Sequence, residues 1–448
     1  METAGLGMLA AVAVLLVATG LPAWIVLIGV AIAFSIAGVL AGAIAWQLLG
    51  AVPARLLGLL ESDILQALPL YVLMGALLNH LPLAQILFRV GSRMLAFTGA
   101  GASLSGLGLG AILAPMNGSV GASVAMLSRT VQPRLDASGV PAERSAALVC
   151  MASTLGVVVP PSLVLILLGD TMLRAHTEAV NATGESVRII NTQDIFVGAL
   201  VPAALSLVLA AAITWRMNYR GARAQRAESP PTPKEWAIAI ATAASIASLL
   251  GGVTLGYLYA VEAAATGALA LFLFGVLTRT LTFATLREVL RDTMAITGAL
   301  FALLVAATVF TLVIRTFGTD RWLGTVLADV SRTSGNAWIP LALVLGIIGA
   351  CALVLDAFEM IFVVIPIVMP PLLAVVHDAT WVAVLTLLIL QASFLTPPFG
   401  YSVLMVRASL KRPLANDALM KALIPYLVAQ LLALALVIAL PELIVRKS

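Results

Sequence analysis

Two proline pairs, Pro160-Pro161 and Pro397-Pro398, stand inside long apolar stretches of this chain. Proline has no backbone N–H and disrupts the helical turn before it. Carbonyls near Val158 and Val159, and near Leu395 and Thr396, are therefore expected to lose their helical partners. Small polar residues cluster beside each pair: Ser153, Thr154 and Ser162 in the first, Gln391, Ser393 and Thr396 in the second. Freed carbonyls with hydroxyl and amide oxygens make a cage for a hard monovalent cation, and half-helix C-terminal ends add negative potential. The alternative is a pair of proline kinks whose hydroxyls bond back to their own helices. The paired occurrence, each with a helix break upstream, favours the cage.

Those upstream breaks carry the second kind of chemistry. Asn117-Gly118-Ser119 interrupts the apolar region 100–132, and Asp356-Ala357-Phe358-Glu359 interrupts 337–370. A half-helix that starts at such a break presents free N–H groups, a natural seat for a carboxylate. Asn117, Gly118, Ser119, Gly121 and Ser123 let backbone approach a ligand closely. An aspartate in a membrane costs ~2.5–3.5 kcal/mol on insertion scales, so Asp356 is expected to cap its half-helix or face an aqueous cavity. Glu359 lies one turn further on. The candidate substrate contacts are Asn117, Gly118, Ser119, Ser123, Asp356, Glu359 and Ser393.

The elements that position these residues must be membrane helices. Of 448 residues, 61% are hydrophobic and 10% charged, with mean hydropathy +1.09; an ordinary soluble domain is about half apolar and a quarter charged. Full-length spans are expected near 5–20, 22–45, 63–80, 145–168, 195–215, 236–258, 261–278, 293–314, 379–395 and 419–440. The regions 100–132 and 337–370 read instead as re-entrant hairpins, because non-helical backbone at depth is tolerated only when buried in protein or lining a cavity. Segments 82–98 and 321–333 read as helices lying in the interface or packed on the bundle. The polar stretch 170–193 reads as a solvated periplasmic loop.

The hydrophilic segment 216–235, with Arg216, Arg220, Arg223, Arg226 and Lys234, reads as a cytoplasmic linker between two halves, 1–215 and 236–448. Alternating outward from it gives five crossings per half, both termini in the periplasm, and 17 basic residues inside against 8 outside. The first half holds hairpin 100–132 and broken helix 145–168; the second holds hairpin 337–370 and broken helix 379–410. An offset of 237 carries Ser119 onto Asp356 and Pro160-Pro161 onto Pro397-Pro398. Five crossings per half make the second copy inverted. The expected fold is thus an all-α inverted-repeat secondary transporter with discontinuous helices. Hairpins and broken helices would form a transport domain, and the remainder a scaffold.

Other chemistries find little support. The excess of four positive charges is spread over loops, which does not suit a nucleic acid. Cys150 and Cys351 sit in apolar stretches without metal-ligand spacing, and His80, His176 and His377 are isolated. No Walker A motif occurs. A membrane hydrolase built on Asp356 would find only Glu359 for a partner, on the same half-helix. The first apolar run follows no basic segment and reads as a retained helix.

Several runs resemble the large membrane subunit of TRAP (tripartite ATP-independent periplasmic) transporters. They are Asn117-Gly118-Ser119-Val120-Gly121-Ala122-Ser123, Thr154-Leu155-Gly156 leading to Pro160-Pro161-Ser162, Leu168-Gly169-Asp170, Glu262-Ala263-Ala264-Ala265, Leu355-Asp356-Ala357-Phe358-Glu359, and Leu395-Thr396-Pro397-Pro398-Phe399-Gly400. Asp-Ala-Phe-Glu and Pro-Pro-Phe-Gly look most like the mannitol/chloroaromatic branch, associated with 2-oxo and 2-hydroxy monocarboxylates. The resemblance implies an inner-membrane elevator, not an enzyme, driven by sodium. It further implies a periplasmic binding protein that delivers the substrate and a small four-helix membrane subunit that braces the scaffold. Two sodium sites are implied: Asn117, Ser119, Thr154 and Val158 at one, Asp356, Thr396 and Gly400 at the other. Ser153 and Gln391 join these sets from the residue pattern above. One departure is Asn117-Gly118-Ser119-Val120, where many relatives have Ser-Gly-Ser-Ser. A stand-alone anion:cation symporter of similar hairpin architecture is the competing expectation.

Overall fold

The computed structural model describes residues 4–42, 50–61, 63–117, 119–184, 188–219, 230–397, 399–410 and 414–445. Gly118, Pro398, linker residues 220–229 (with Arg220, Arg223 and Arg226), Lys411, Arg412, Arg446 and Lys447 lie outside them.

Among the described residues every regular element is helical. Helices α1 (Ala4–Thr19), α2 (Ala23–Leu40), α3 (Val52–Leu60), α4 (Asp63–His80) and α5 (Leu83–Met94) lead to a hairpin. Its arms are α6 (Gly101–Leu113) and α7 (Val120–Thr130), joined through a 3-10 turn at Ala114–Asn117; a short α8 (Gln132–Ala137) follows. Next come α9 (Ala142–Val158), α10 (Leu163–Thr183) and α11 (Thr192–Asn218). The remainder repeats the pattern: α12 (Pro233–Leu255), α13 (Ala260–Leu277), α14 (Phe283–Thr316), α15 (Thr319–Ser334) and α16 (Trp338–Cys351). Helix α17 (Ala357–Leu373) contains one π-type stretch at Met360–Val364. Helices α18 (Ala379–Leu395), α19 (Tyr401–Ser409) and α20 (Asn416–Ala439) complete the chain.

Local sequence explains many boundaries. Thr232 and Glu235 form a capping box that opens α12, with Pro233 at its first position, and Asn191 with Asp194 does the same for α11. Gly184 and Gly256 close α10 and α12 in the left-handed conformation. All ten expected spans have a helical counterpart. Among the described residues six helices are long and apolar enough to cross a membrane, and eight when two bent pairs each count once. Helices α1 and α18 fall short in length; α18 is followed, after the proline break, by α19.

The centre of the molecule is built on α9 and α18, which pack on each other. Every residue of α18 except Ile389 is buried, and α9 is buried from Ser145 to Val158. A helix apolar on all sides has no surface to offer water, so it belongs inside. Around this centre α6 and α7 lie on α9, and α16 lies on α18. The second arms cross over: α7 packs on α19, and α17 packs on α10. By contrast α12 and α13 bury only 22% and 28% of their most apolar windows; the exposed Leu269, Leu273, Val276 and Leu277 of α13 suit lipid or another membrane protein. Helix α5 buries Leu83, Ala84, Phe88 and Val90 against α6 and α12, so it is a packed helix.

Three boundaries depart from the sequence reading. Residues 170–183 are helix, not loop, because α10 runs on to Thr183. The first broken helix therefore spans 142–183 with its interruption at 159–162, not 145–168. The linker is shorter than 216–235: α11 continues to Asn218 and α12 begins at Pro233. Element starts recur along the chain as well. Gly101 and Trp338, Val120 and Ala357, and Ala142 and Ala379 each open corresponding helices 237 residues apart.

Candidate functional site

At the first hairpin tip the helix tightens into the 3-10 turn and restarts at Val120, with Ser119 extended at the N-cap. The Ser119 hydroxyl accepts from the Ala122 N–H at 3.0 Å, satisfying one of the four donors a helix start leaves open. Ser123 donates to the Ser119 carbonyl at 3.0 Å and lies 3.5 Å from Asn117 Nδ2. Asn117 is only 4% exposed, and its Oδ1 has no hydrogen-bond partner.

The tip is pressed between two helices. A Cβ on Gly156 of α9 would sit 2.6 Å from the Ala114 carbonyl oxygen, and one on Gly75 of α4 would sit 2.8 Å from that of Met116. Only glycine admits backbone so close. A narrow crevice remains between tip and broken helix, lined by Ser119, Ser153, Gly156, Val157 and Leu163 among others. Pro160 and Pro161 lack the N–H groups that would bond the Gly156 and Val157 carbonyls. The Gly156 and Val157 carbonyls thus lose their helical donors just before Val158, where the helix ends. Asn117 and Thr154 do not line this crevice: Asn117 Oδ1 is 3.5 Å from where a Gly75 Cβ would stand.

The hydroxyls beside the break bond back to their own helix, Ser153 to the Cys150 carbonyl at 2.8 Å and Thr154 to that of Met151 at 2.9 Å. This is the geometry of a proline kink, but it does not disqualify them as ligands. A hydroxyl that donates its hydrogen keeps its oxygen lone pairs, and those are what a cation needs. Beyond the break Ser162 caps α10 through the Leu165 N–H at 3.2 Å.

The second tip is built differently. Asp356 is the N-cap of α17 in a capping box with Glu359, whose carboxylate accepts the Asp356 N–H at 3.1 Å. Asp356 Oδ1 is buried without a hydrogen-bond partner. In the second broken helix the carbonyls freed by proline are re-bonded: that of Ser393 accepts from Thr396 N at 3.0 Å, and that of Phe394 from the Ser402 hydroxyl at 2.6 Å. The Gly400 N–H closes on the Thr396 carbonyl at 2.7 Å, and Thr396 donates its hydroxyl to Ala392 at 2.9 Å. Gly400 is needed there, since a Cβ would lie 2.5 Å from the Phe394 oxygen. Ser393 faces α16, the first arm of the second hairpin, its hydroxyl 3.6 Å from the Cβ position of Gly349. Gln391 is fully buried in α18, and neither amide atom has a partner.

The sequence reading missed Tyr401. Its hydroxyl is 3.2 Å from the Cβ position of Gly121 on the first hairpin, and its ring lies tilted against Phe394 with centroids 6.0 Å apart. It also lies within electrostatic reach of Asp356 and Glu359. One phenol thus stands against the first tip within the field of the second tip's acidic pair. Its place directly after Gly400 was the available signal. Among the described residues no cluster of His, Cys, Asp and Glu could hold a metal of the transition type.

Interrupted helices in an apolar bundle, with buried polar atoms left open beside them, are the arrangement of secondary transporters. The chain belongs to the tripartite ATP-independent periplasmic transporter family, DctM component, whose pattern matches residues 9–443. A putative TRAP transporter large permease protein of Haemophilus influenzae is 24% identical over 389 residues, 85% of this chain and 90% of that one. The C4-dicarboxylate TRAP transporter large permease protein of Rhodobacter capsulatus is 23% identical, covering 84% and 85%. The 2,3-diketo-L-gulonate TRAP transporter large permease protein of Escherichia coli is 23% identical, covering 85% of each. Among solved structures the YdaH transporter of Alcanivorax borkumensis shares the fold, with a TM-score of 0.58 at 17% identity over 87% of this chain and 88% of that one.

Proposed function

We propose that this protein is the carrier subunit of a sodium-coupled importer of a small organic acid, most simply a 2-oxo or 2-hydroxy monocarboxylate. A periplasmic binding protein delivers the acid, and a small four-helix membrane subunit braces the outer helices. Both termini are periplasmic. The two hairpins and two broken helices move together as an elevator against α1, α2, α4 and α12–α14. The observation that carries this reading is the set of buried, unpartnered polar atoms beside the interruptions: Asn117 Oδ1, Asp356 Oδ1 and both amide atoms of Gln391. An unpaired buried polar group costs ~1–3 kcal/mol, which a bound cation or substrate would offset. That related permeases carry names of dicarboxylate, diketogulonate and sialic acid transporters supports an organic anion.

Sodium enters at the first tip near Ser119, Ser153 and the Gly156–Val158 carbonyls, and at the second near Asp356, Gln391, Thr396 and Gly400. The substrate carboxylate lies between the tips, with the N–H groups after Ser119 on one side and Tyr401 on the other. Moving one charge across 100 mV is worth ~2.3 kcal/mol, so two ions per acid sustain accumulation. In proteoliposomes holding both membrane subunits, uptake is expected only with an inward sodium gradient and the loaded binding protein. Equal uptake in potassium removes the coupling; uptake without the binding protein favours a stand-alone symporter.

A further inference from the structure

One well-formed cavity stands apart from the tips. It lies where α10 and α17 face α14 and α3, and holds about 320 Å³ of water-sized space. It runs from Leu167 to Glu178 along α10 and from Leu304 to Arg315 along α14, twelve residues in each case, or ~16 Å of helix. Phe362, in the π-type stretch just after Asp356 and Glu359, lines its wall. The cavity therefore leads from the end of the bundle toward the second hairpin tip.

Its polar lining is unusual for membrane depth. Arg55, Arg174 and Arg315 contribute three positive charges against Asp170 and Glu178. Arg174 Nε donates to Asp170 at 3.0 Å. Arg315 Nη2 donates to Glu178 at 2.9 Å and reaches the Pro366 carbonyl at 3.4 Å. Arg55, exposed on α3, has no acidic partner among the described residues. A cleft with a surplus of one charge concentrates ions of the other. A free guanidinium also presents a planar fork of donors that matches a carboxylate. Thr308 and Thr311 supply hydroxyls further in.

We infer that this cavity is an access vestibule that binds small carboxylates before they reach the hairpin tips, with Arg55 as the free anion contact and the paired Arg174 and Arg315 behind it. The inference rests on the proposed orientation, which opens the mouth to the periplasm. Binding here is shallow and exchangeable, and it filters by charge rather than by shape.

Cysteine labelling tests this without requiring transport. In a Cys351→Ser background, Thr308→Cys is probed in intact cells with an anionic sulfonatoethyl and a cationic trimethylammonioethyl methanethiosulfonate; Thr311→Cys is a second reporter. The anionic reagent is expected to react roughly tenfold faster, with the advantage shrinking at high ionic strength. Millimolar lactate or pyruvate is expected to slow it, and Arg55→Gln to abolish most of the preference. Equal rates, a cationic preference, labelling from the cytoplasmic side only, or an unchanged preference in Arg55→Gln overturns the inference. Sodium-driven uptake with no anionic preference removes the vestibule and leaves the importer. Anionic preference without uptake upholds the vestibule's carboxylate site and removes the importer.

Discussion

Gln391 isolates the question of what the buried polar atoms are for. It is wholly enclosed in α18, and neither end of its amide is bonded. A purely structural residue would leave two unmet groups costing ~1–3 kcal/mol each, a poor use of a core position. If sodium supplies the missing partner, Gln391→Met is expected to leave the melting temperature in potassium unchanged or raised, and to abolish the rise that sodium gives the parent protein. A sodium-dependent rise retained in the variant would assign the glutamine to packing. Such atoms were legible in the sequence as types, because Asn117, Asp356 and Gln391 are conspicuous in apolar surroundings. Their directions were not legible. Asn117 turns toward α4, and nothing in Asn-Gly-Ser specifies which neighbour its amide meets.

At the level of elements, the close approach of hairpin to broken helix carries the geometry. Gly156 brings α9 within contact of the Ala114 carbonyl, and Gly110 does the same on α6 against that of Ala152. Small residues let membrane helices pack backbone to backbone, and here they hold the crevice closed around Ser119 and Ser153. Gly156→Ala is expected to cost ~1–3 kcal/mol through overpacking and to reduce uptake beyond the loss in folded protein. Uptake per folded molecule equal to that of the parent would show that the crevice has no role. Helix ends were well marked by proline, glycine and capping residues. The misread element was α10. Asp170, Arg174 and Glu178 make 170–183 look like a loop, yet they recur every four residues, the spacing of one helix face. They are polar because that face lines a cavity, so hydropathy alone could not separate a water-lined helix from a loop.

Across the whole molecule, the Arg315–Glu178 pair joins outer helix α14 to broken-helix arm α10, and Arg315 also touches α17. Both side chains keep some exposure, so the pair is weak enough to be remade. An elevator requires that it part in each cycle. Glu178→Cys with Arg315→Cys, bridged by a bis-maleimide in a Cys351→Ser background, is expected to stop uptake, whereas either cysteine modified alone does not. Full uptake by the bridged protein would mean that α10 and α14 travel together, which rules out their assignment to opposite sides of the moving boundary.

The 237-residue spacing of helix starts has a further consequence. Two copies of one plan, set head to tail in a bilayer, need not hold the same pose: the first bends by 40° at its proline break, while the second re-bonds its opened carbonyls through Thr396, Gly400 and Ser402. In the proposed carrier, exchanging the two poses between copies would give the conformer open toward the opposite compartment. On that reading, the mismatch between one half of the polypeptide and the other carries the imprint of the opposite state.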